Sequence, residues 1–350
     1  MSSEPCPGDN DCAPSGHHSS AGEPKNRRRL LALLTVLVSL LVAVVGGEVA
    51  LRALFARRLA LVQDERNLLY RYDAVLGWFP VASSSNQFVG TRRTTVVNNH
   101  QGFRAAADYG PDNRPRIAFL GDSFVWGYDV EVAERFTEKL QAKHPEWKIY
   151  NCGVSGYGTD QEYLLLQQLF DAYKPQVVFL MYGDETDEAD NATNQRWGYY
   201  KPYCTLSGSR LQLRGVPVPR SEKFFFAKHK LISRSYLGRL LVLGYFALTS
   251  PRVVQNQPNP TGALIRDMQK YVQSKGALFV AGLTWHNPPL EEFLTYFKIP
   301  FVDLTTELRY QGMGDHWSAE GHTFVANKID AFLVGGNYLG TGAVQAPSKP

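Results

Sequence analysis

Cysteine is scarce in this chain: four in 350 residues, with Cys6 and Cys12 in a terminal stretch rich in Ser, Pro and Gly, and Cys152 and Cys204 in the body. No cysteines or histidines carry the paired spacing of a zinc site, so a metal centre is not indicated. A disulfide between Cys152 and Cys204 is open to a protein outside the cytoplasm, whereas buried free thiols are the reading the residues favour. There is no phosphate-cradling loop. Nor is there a Gly-x-Ser-x-Gly elbow, since Gly153-Val154-Ser155-Gly156-Tyr157 reaches its second glycine one place early. Charge of one sign is not in excess either, with a net charge of +4 to which Lys25 and Arg27–Arg29 contribute, so nucleic-acid binding is not expected. No internal repeat is visible, and no cofactor is implied.

Long hydrophobic runs are also missing, with one exception. Leu30 to Gly47 is uncharged throughout, and with Glu48 to Leu51 it is long enough to cross a bilayer as a helix. A cleaved signal peptide is the alternative, but no small-x-small cleavage site precedes Glu48. Lys25 and Arg27–Arg29 before the run outnumber Arg52, Arg57 and Arg58 after it, which favours a cytoplasmic N-terminus and a body outside the cytoplasm. The expected organisation is a disordered tail (1–29), an anchor (30–51), a helical stalk and β-rich lead-in (52–112), a main domain (113–335) with an insertion at 194–260, and a flexible end (336–350).

From Pro115 the pattern alternates. Strand-like runs at Ile117–Leu120, Lys148–Asn151, Val177–Tyr182, Ala277–Gly282 and Pro300–Leu304 are separated or followed by helical patterns at Arg135–Lys143, Gln161–Ala172, Gly262–Lys275 and Ala319–Phe332. Alternation of this kind predicts a parallel sheet covered by helices on both faces. Within the insertion, Tyr203–Leu206 and Leu211–Leu213 read as a hairpin. Ser235 to Thr249 reads as an apolar helix packed on the domain.

The first of these strands stops at Gly121-Asp122-Ser123. Open α/β sheets keep their chemistry outside the carboxyl ends of the strands, so Ser123 stands where a nucleophile belongs, beside the N–H groups of a helix start. Its alternative role is that of an ordinary helix cap.

Three blocks then carry a resemblance. GDSF (Gly121–Phe124), NCGVSGYGTDQ (Asn151–Gln161) and DHWSAEGH (Asp315–His322) follow one another as in the SGNH/GDSL hydrolase superfamily. An LGW…N..GFR lead-in (Leu76–Trp78, Asn99–Arg104) is similar to its bacterial membrane-anchored branch. The resemblance spans about Asp73 to Phe332, and it implies a flavodoxin-like three-layer α/β/α fold with Ser123 as nucleophile. It also implies that the N–H groups of Ser123 and Gly156 form an oxyanion hole, and that His316 is the base, with His322 and His286 structural. The superfamily's orienting aspartate falls on Gly314 or Met313, which leaves three orienters open: the adjacent Asp315, a backbone carbonyl, or Asp303. Aligning Val177–Asn191 on the superfamily's third block puts Thr186 in place of its oxyanion-hole asparagine, with Asp184 and Glu185 nearby. The implied activity is hydrolysis or transfer of an acyl ester, with an acetylated cell-envelope glycan as the substrate suggested by location. The competing expectation is a weakened fold serving as a glycan-binding or O-acyltransferase-associated module.

Overall fold

The computed structural model describes residues 25–61, 68–183, 185–208, 210–254, 257–312 and 314–339, with the backbone alone for Lys25, Glu185 and Thr186. The chain forms two compact units, divided after Ala60. In the first, helix α1 (Lys25–Phe55) is an apolar rod of 31 residues, long enough to cross a hydrocarbon core of roughly 30 Å at about 1.5 Å per residue. Residues 25–29, expected in the tail, form its first turns, because Lys and Arg are good helix formers. The helix ends at Phe55, and the chain is strand by Tyr70.

The second unit opens with two hairpins, β1 (Tyr70–Asp73) with β2 (Gly77–Pro80), and β3 (Ser84–Val89) with β4 (Arg93–Asn98). The main domain then runs β5 (Arg116–Gly121), α2 (Ser123–Trp126), α3 (Phe136–Lys143), β6 (Lys148–Asn151), α4 (Thr159–Tyr173), β7 (Val177–Tyr182) and α5 (Glu185–Asn191). The insertion contributes hairpins β8 (Gln195–Arg196)–β9 (Tyr199–Tyr200) and β10 (Tyr203–Ser207)–β11 (Arg210–Arg214), then helices α6 (Glu222–Lys228), α7 (Lys230–Arg234) and α8 (Tyr236–Thr249). The domain closes with α9 (Thr261–Ser274), β12 (Leu278–Leu283), α10 (Pro288–Tyr296), β13 (Phe301–Asp303) and α11 (Ala319–Gly335).

The central sheet is parallel, in the order β13-β12-β7-β5-β6. That is the flavodoxin-like order, and the chain reverses its winding between β5 and β7. Alternation along the strands builds two cores. Ala118, Leu120, Val178, Leu180, Phe279 and Ala281 face α4 and α9, while Ile117, Phe119, Val177, Phe179 and Val280 face α3 and α11. All six residues of β7 are buried, as expected of a central strand covered on both faces. The expected three-layer fold is therefore the observed one. Helix α10 escaped the sequence reading, although Asn287 caps it by accepting the Leu290 N–H and Pro288 stands at its first position.

Two insertion residues anchor to the core. Lys201 is fully buried, paired with Asp160 in the first turn of α4 and donating to the carbonyls of Asp190 and Pro202. Arg196 pairs with Asp190. Helix α8 behaves otherwise. It was expected to pack on the domain, yet none of its residues is buried.

Candidate active site

Ser123 is the first residue of α2, directly off the end of β5 and beside the switch between β5 and β7. Asp122 caps the helix by accepting the Phe124 N–H at 2.9 Å, so the capping role considered for Ser123 belongs to its neighbour. As the first helical residue, Ser123 has no intrahelical acceptor for its own N–H. Its side chain is half-buried and its Oγ lies 2.7 Å from His316 Nε2. The imidazole is buried, stacked on Tyr128 with ring centroids 4.3 Å apart, and touched by Phe124 at 5.0 Å.

The segment around His316 is built residue by residue. Gly314 has φ of +85°, and a Cβ there would stand 2.7 Å from His316 Cε1, so glycine lets the loop pass beneath the ring. Trp317 is buried against Phe124 and Phe136. Ser318 caps α11, accepting the Gly321 N–H. His322 is buried, and its Nδ1 accepts the first N–H of α3 at 3.2 Å. Burial and the nearby Arg135 lower its pKa to about 3, which keeps it a neutral acceptor. His286 pairs with Glu291 at the surface. Among the described histidines, His316 is the one at Ser123.

Asp315 is not brought to the imidazole. At φ of +44° its carboxylate turns back to accept the Gly312 N–H at 3.2 Å. Asp303 caps its own turn through the Thr305 N–H. What holds the histidine loop is Arg309, which sequence reasoning missed. Its guanidinium donates to the carbonyls of Asp315 (3.1 Å), Thr284 (2.6 Å) and Thr306 (2.8 Å) and lies 3.6 Å from the centre of the Trp285 ring. Half-buried there, it titrates lower than an ordinary arginine, at about 10.

The second block lies against α2. A Cβ on Gly153 would stand 2.5 Å from the Trp126 nitrogen, so this close approach requires glycine. Asn151 donates to the Val125 carbonyl at 2.7 Å. Gly156 sits in the following turn at φ of +77°. The carbonyl of Ser155 accepts the Trp78 indole N–H at 3.3 Å, while Tyr157 and Gln161 donate to the carbonyls of Trp78 and Leu76. The lead-in segment thus grips the loop that carries Gly156. Its other end does the same for the loop after α2, where buried Arg104 donates to the carbonyls of Trp126, Gly127, Val130 and Thr95.

The Thr186 side chain lies outside the described residues, as does Asp184. Of the other third-block residues, Asp187 accepts the Gly183 N–H at 2.6 Å. Asn191 donates to Thr159 and Thr261. Asp187, Asp122 and Glu162 are all buried, which raises each pKa, and the Asp122 carboxylate adds to the rise at Asp187 while both aspartates add to it at Glu162. Asp122 is pushed to about 6, and both Glu162 oxygens lack hydrogen-bond partners. Cys152 and Cys204 are free, buried thiols, and burial raises both pKa values. Among the described residues no cluster of His, Cys, Asp and Glu could hold a metal ion.

Sheet order and site define a class, the flavodoxin-like α/β proteins with a serine–histidine pair at the carboxyl edge of the first sheet strand. No protein-family model matches the chain, and no curated protein matches it. Solved structures do. A lipolytic protein of the G-D-S-L family from Veillonella parvula is 14% identical, covering 63% of this chain and 97% of its own, with a TM-score of 0.36. A putative lipolytic protein of the same family from Desulfitobacterium hafniense is 12% identical, covering 62% and 98%, with a TM-score of 0.37. The psychrotrophic esterase EstA from Pseudoalteromonas sp. is 12% identical, covering 64% and 99%, with a TM-score of 0.36.

Proposed function

We propose that this chain is a membrane-anchored serine esterase of the SGNH/GDSL type, with its domain outside the cytoplasm. The observation that carries this reading is the 2.7 Å contact between His316 Nε2 and Ser123 Oγ at the switch point of the sheet. His316 removes the Ser123 proton as Oγ attacks the ester carbonyl carbon. The developing oxyanion is held by the N–H groups of Ser123 and Gly156, with Thr186 as the third donor. Collapse breaks the bond to the leaving oxygen, which takes the proton from His316. Water, deprotonated by the same imidazole, then releases the acid from the acyl-serine. The π face of Tyr128 stabilises the imidazolium while it exists. The orienting role weighed for Asp315 passes to the loop itself, which Arg309 and the Asp315–Gly312 bond hold in place. Acylated cell-envelope glycans fit the location, with α1 as anchor.

A fluorophosphonate probe tests this on the full chain in detergent. Labelling should map to Ser123 and disappear in Ser123→Ala, and hydrolysis of a simple acetyl ester should fall by roughly 10³-fold or more in that variant and in His316→Ala. A wild-type chain that does not react would instead fit the glycan-binding or O-acyltransferase-associated module.

A further inference from the structure

Helix α8 exposes a continuous apolar face. Leu241, Tyr245 and Leu248 follow at helical spacing with exposures of 65%, 63% and 88%, and Leu231 on α7 is 82% exposed. The other side of the helix is half-buried, with Phe246 against Phe225 at 6.0 Å. Along this stretch of the chain the charge has one sign. Between Lys223 and Arg266 the chain carries seven cations and no acid. At 14 residues α8 is about 21 Å long, too short to span a hydrocarbon core of roughly 30 Å.

We propose that α7 and α8 form a second membrane contact, lying in the plane of an anionic lipid surface with Leu231, Leu241, Tyr245 and Leu248 dipped below the headgroups. One-sided apolarity bordered by lysine and arginine is the chemistry of an interfacial helix. The other candidate occupant, a second copy, is disfavoured because a two-fold contact would bring two sets of Lys228, Lys230 and Arg234 into one interface, with no acid in this stretch to offset them. The inference rests on reading α1 as an anchor. Fourteen residues separate Phe55 from Tyr70, a reach of at most about 50 Å at roughly 3.5 Å each. That tether keeps the domain at the bilayer and raises the effective concentration of lipid around α8.

The test reconstitutes the full chain in phosphatidylcholine vesicles, with or without phosphatidylglycerol, doped with a phospholipid bearing a diazirine on its acyl chain. After illumination, lipid adducts are mapped by mass spectrometry. Adducts are expected on α1 in both vesicles and on α8 chiefly where phosphatidylglycerol is present, with none at Tyr296, which is 78% exposed on α10. The double variant Leu241→Asp, Leu248→Asp should lower the α8 adducts roughly tenfold or more and leave those on α1 unchanged. Both leucines are exposed, so folding tolerates the change, and the lipid dependence of the wild-type chain provides an independent reading. Adducts on α1 without any on α8 overturn this proposal and leave the anchor standing. Adducts on neither overturn both. Chain-to-chain cross-links at α8 without lipid adducts assign the face to a second copy and overturn it as well.

Discussion

His316 and Asp315 are neighbours in sequence and face opposite tasks. The histidine ring is held between Tyr128 and Phe124 with Nε2 at the serine, whereas the aspartate occupies a left-handed backbone position and spends its carboxylate on Gly312. Asparagine tolerates the same backbone and offers the same acceptor oxygen. Asp315→Asn is therefore expected to keep kcat within about threefold, whereas replacing a true orienting carboxylate by its amide costs on the order of 10⁴-fold. Steady-state kinetics on a chromogenic acetyl ester separate the two values, and a loss of the larger size would return Asp315 to the role of orienter.

Among elements, the β1–β2 hairpin bears on the proposed oxyanion hole through the loop that carries Gly156. Trp78 donates its indole N–H to the carbonyl of Ser155, which belongs to the peptide bearing the Gly156 N–H. In a trans peptide the C=O and N–H bonds point in opposite directions and their dipoles add, so fixing the carbonyl toward Trp78 aims the N–H away from it and polarises it as a donor. A bond of this kind contributes about 1 kcal/mol net, or roughly fivefold in rate if it is felt in the transition state. Trp78→Phe keeps most of the aromatic packing against Tyr157 and Tyr199. It is expected to lower kcat and the rate of phosphonylation by about that factor, with KM unchanged. A rise in KM at constant kcat would mean that the hairpin shapes substrate binding instead.

At the scale of the whole molecule, buried ionisable groups tie stability to pH in two opposed ways. His322 has a pKa of about 3 when folded against 6.5 for the free side chain. The unfolded chain therefore binds the extra proton, and this contribution is present above the unfolded value and lost as pH falls toward 3. Glu162, Asp187 and Asp122 are raised by burial first, and Glu162 and Asp187 also by neighbouring aspartates. There the folded chain holds the extra protons, and stability falls as pH rises from the ordinary carboxylate range through the raised values. Glu162→Gln removes one such group, and it has no hydrogen-bond partner to lose. The variant should raise the thermal midpoint at pH 8 and do so less at pH 5, since one group contributes a slope of at most about 1.4 kcal/mol per pH unit. Equal effects at both pH values would show that Glu162 is already ionised in the fold.

The sequence by itself determined the runs that become β5, β6, β7, β12 and β13, because alternation and apolar runs depend on neighbours along the chain. It determined the apolar length of α1 for the same reason, and it put Ser123 at a strand end through the local stop at Gly121-Asp122. The resemblance singled out His316, but only the tertiary structure brings it to that serine across a separation of 193 residues. Packing also decided that Asp315 turns away, that Arg309 and Arg104 clamp the loops on either side of the pair, and that Lys201 of the insertion enters the core beside Asp160. The serine–histidine, Arg104 and Lys201 contacts join groups distant in sequence, and even the short-range Asp315 and Arg309 bonds depend on the fold of their loop. Periodicity encodes which face of an element is buried, but the partner on that face is chosen only when the layers close.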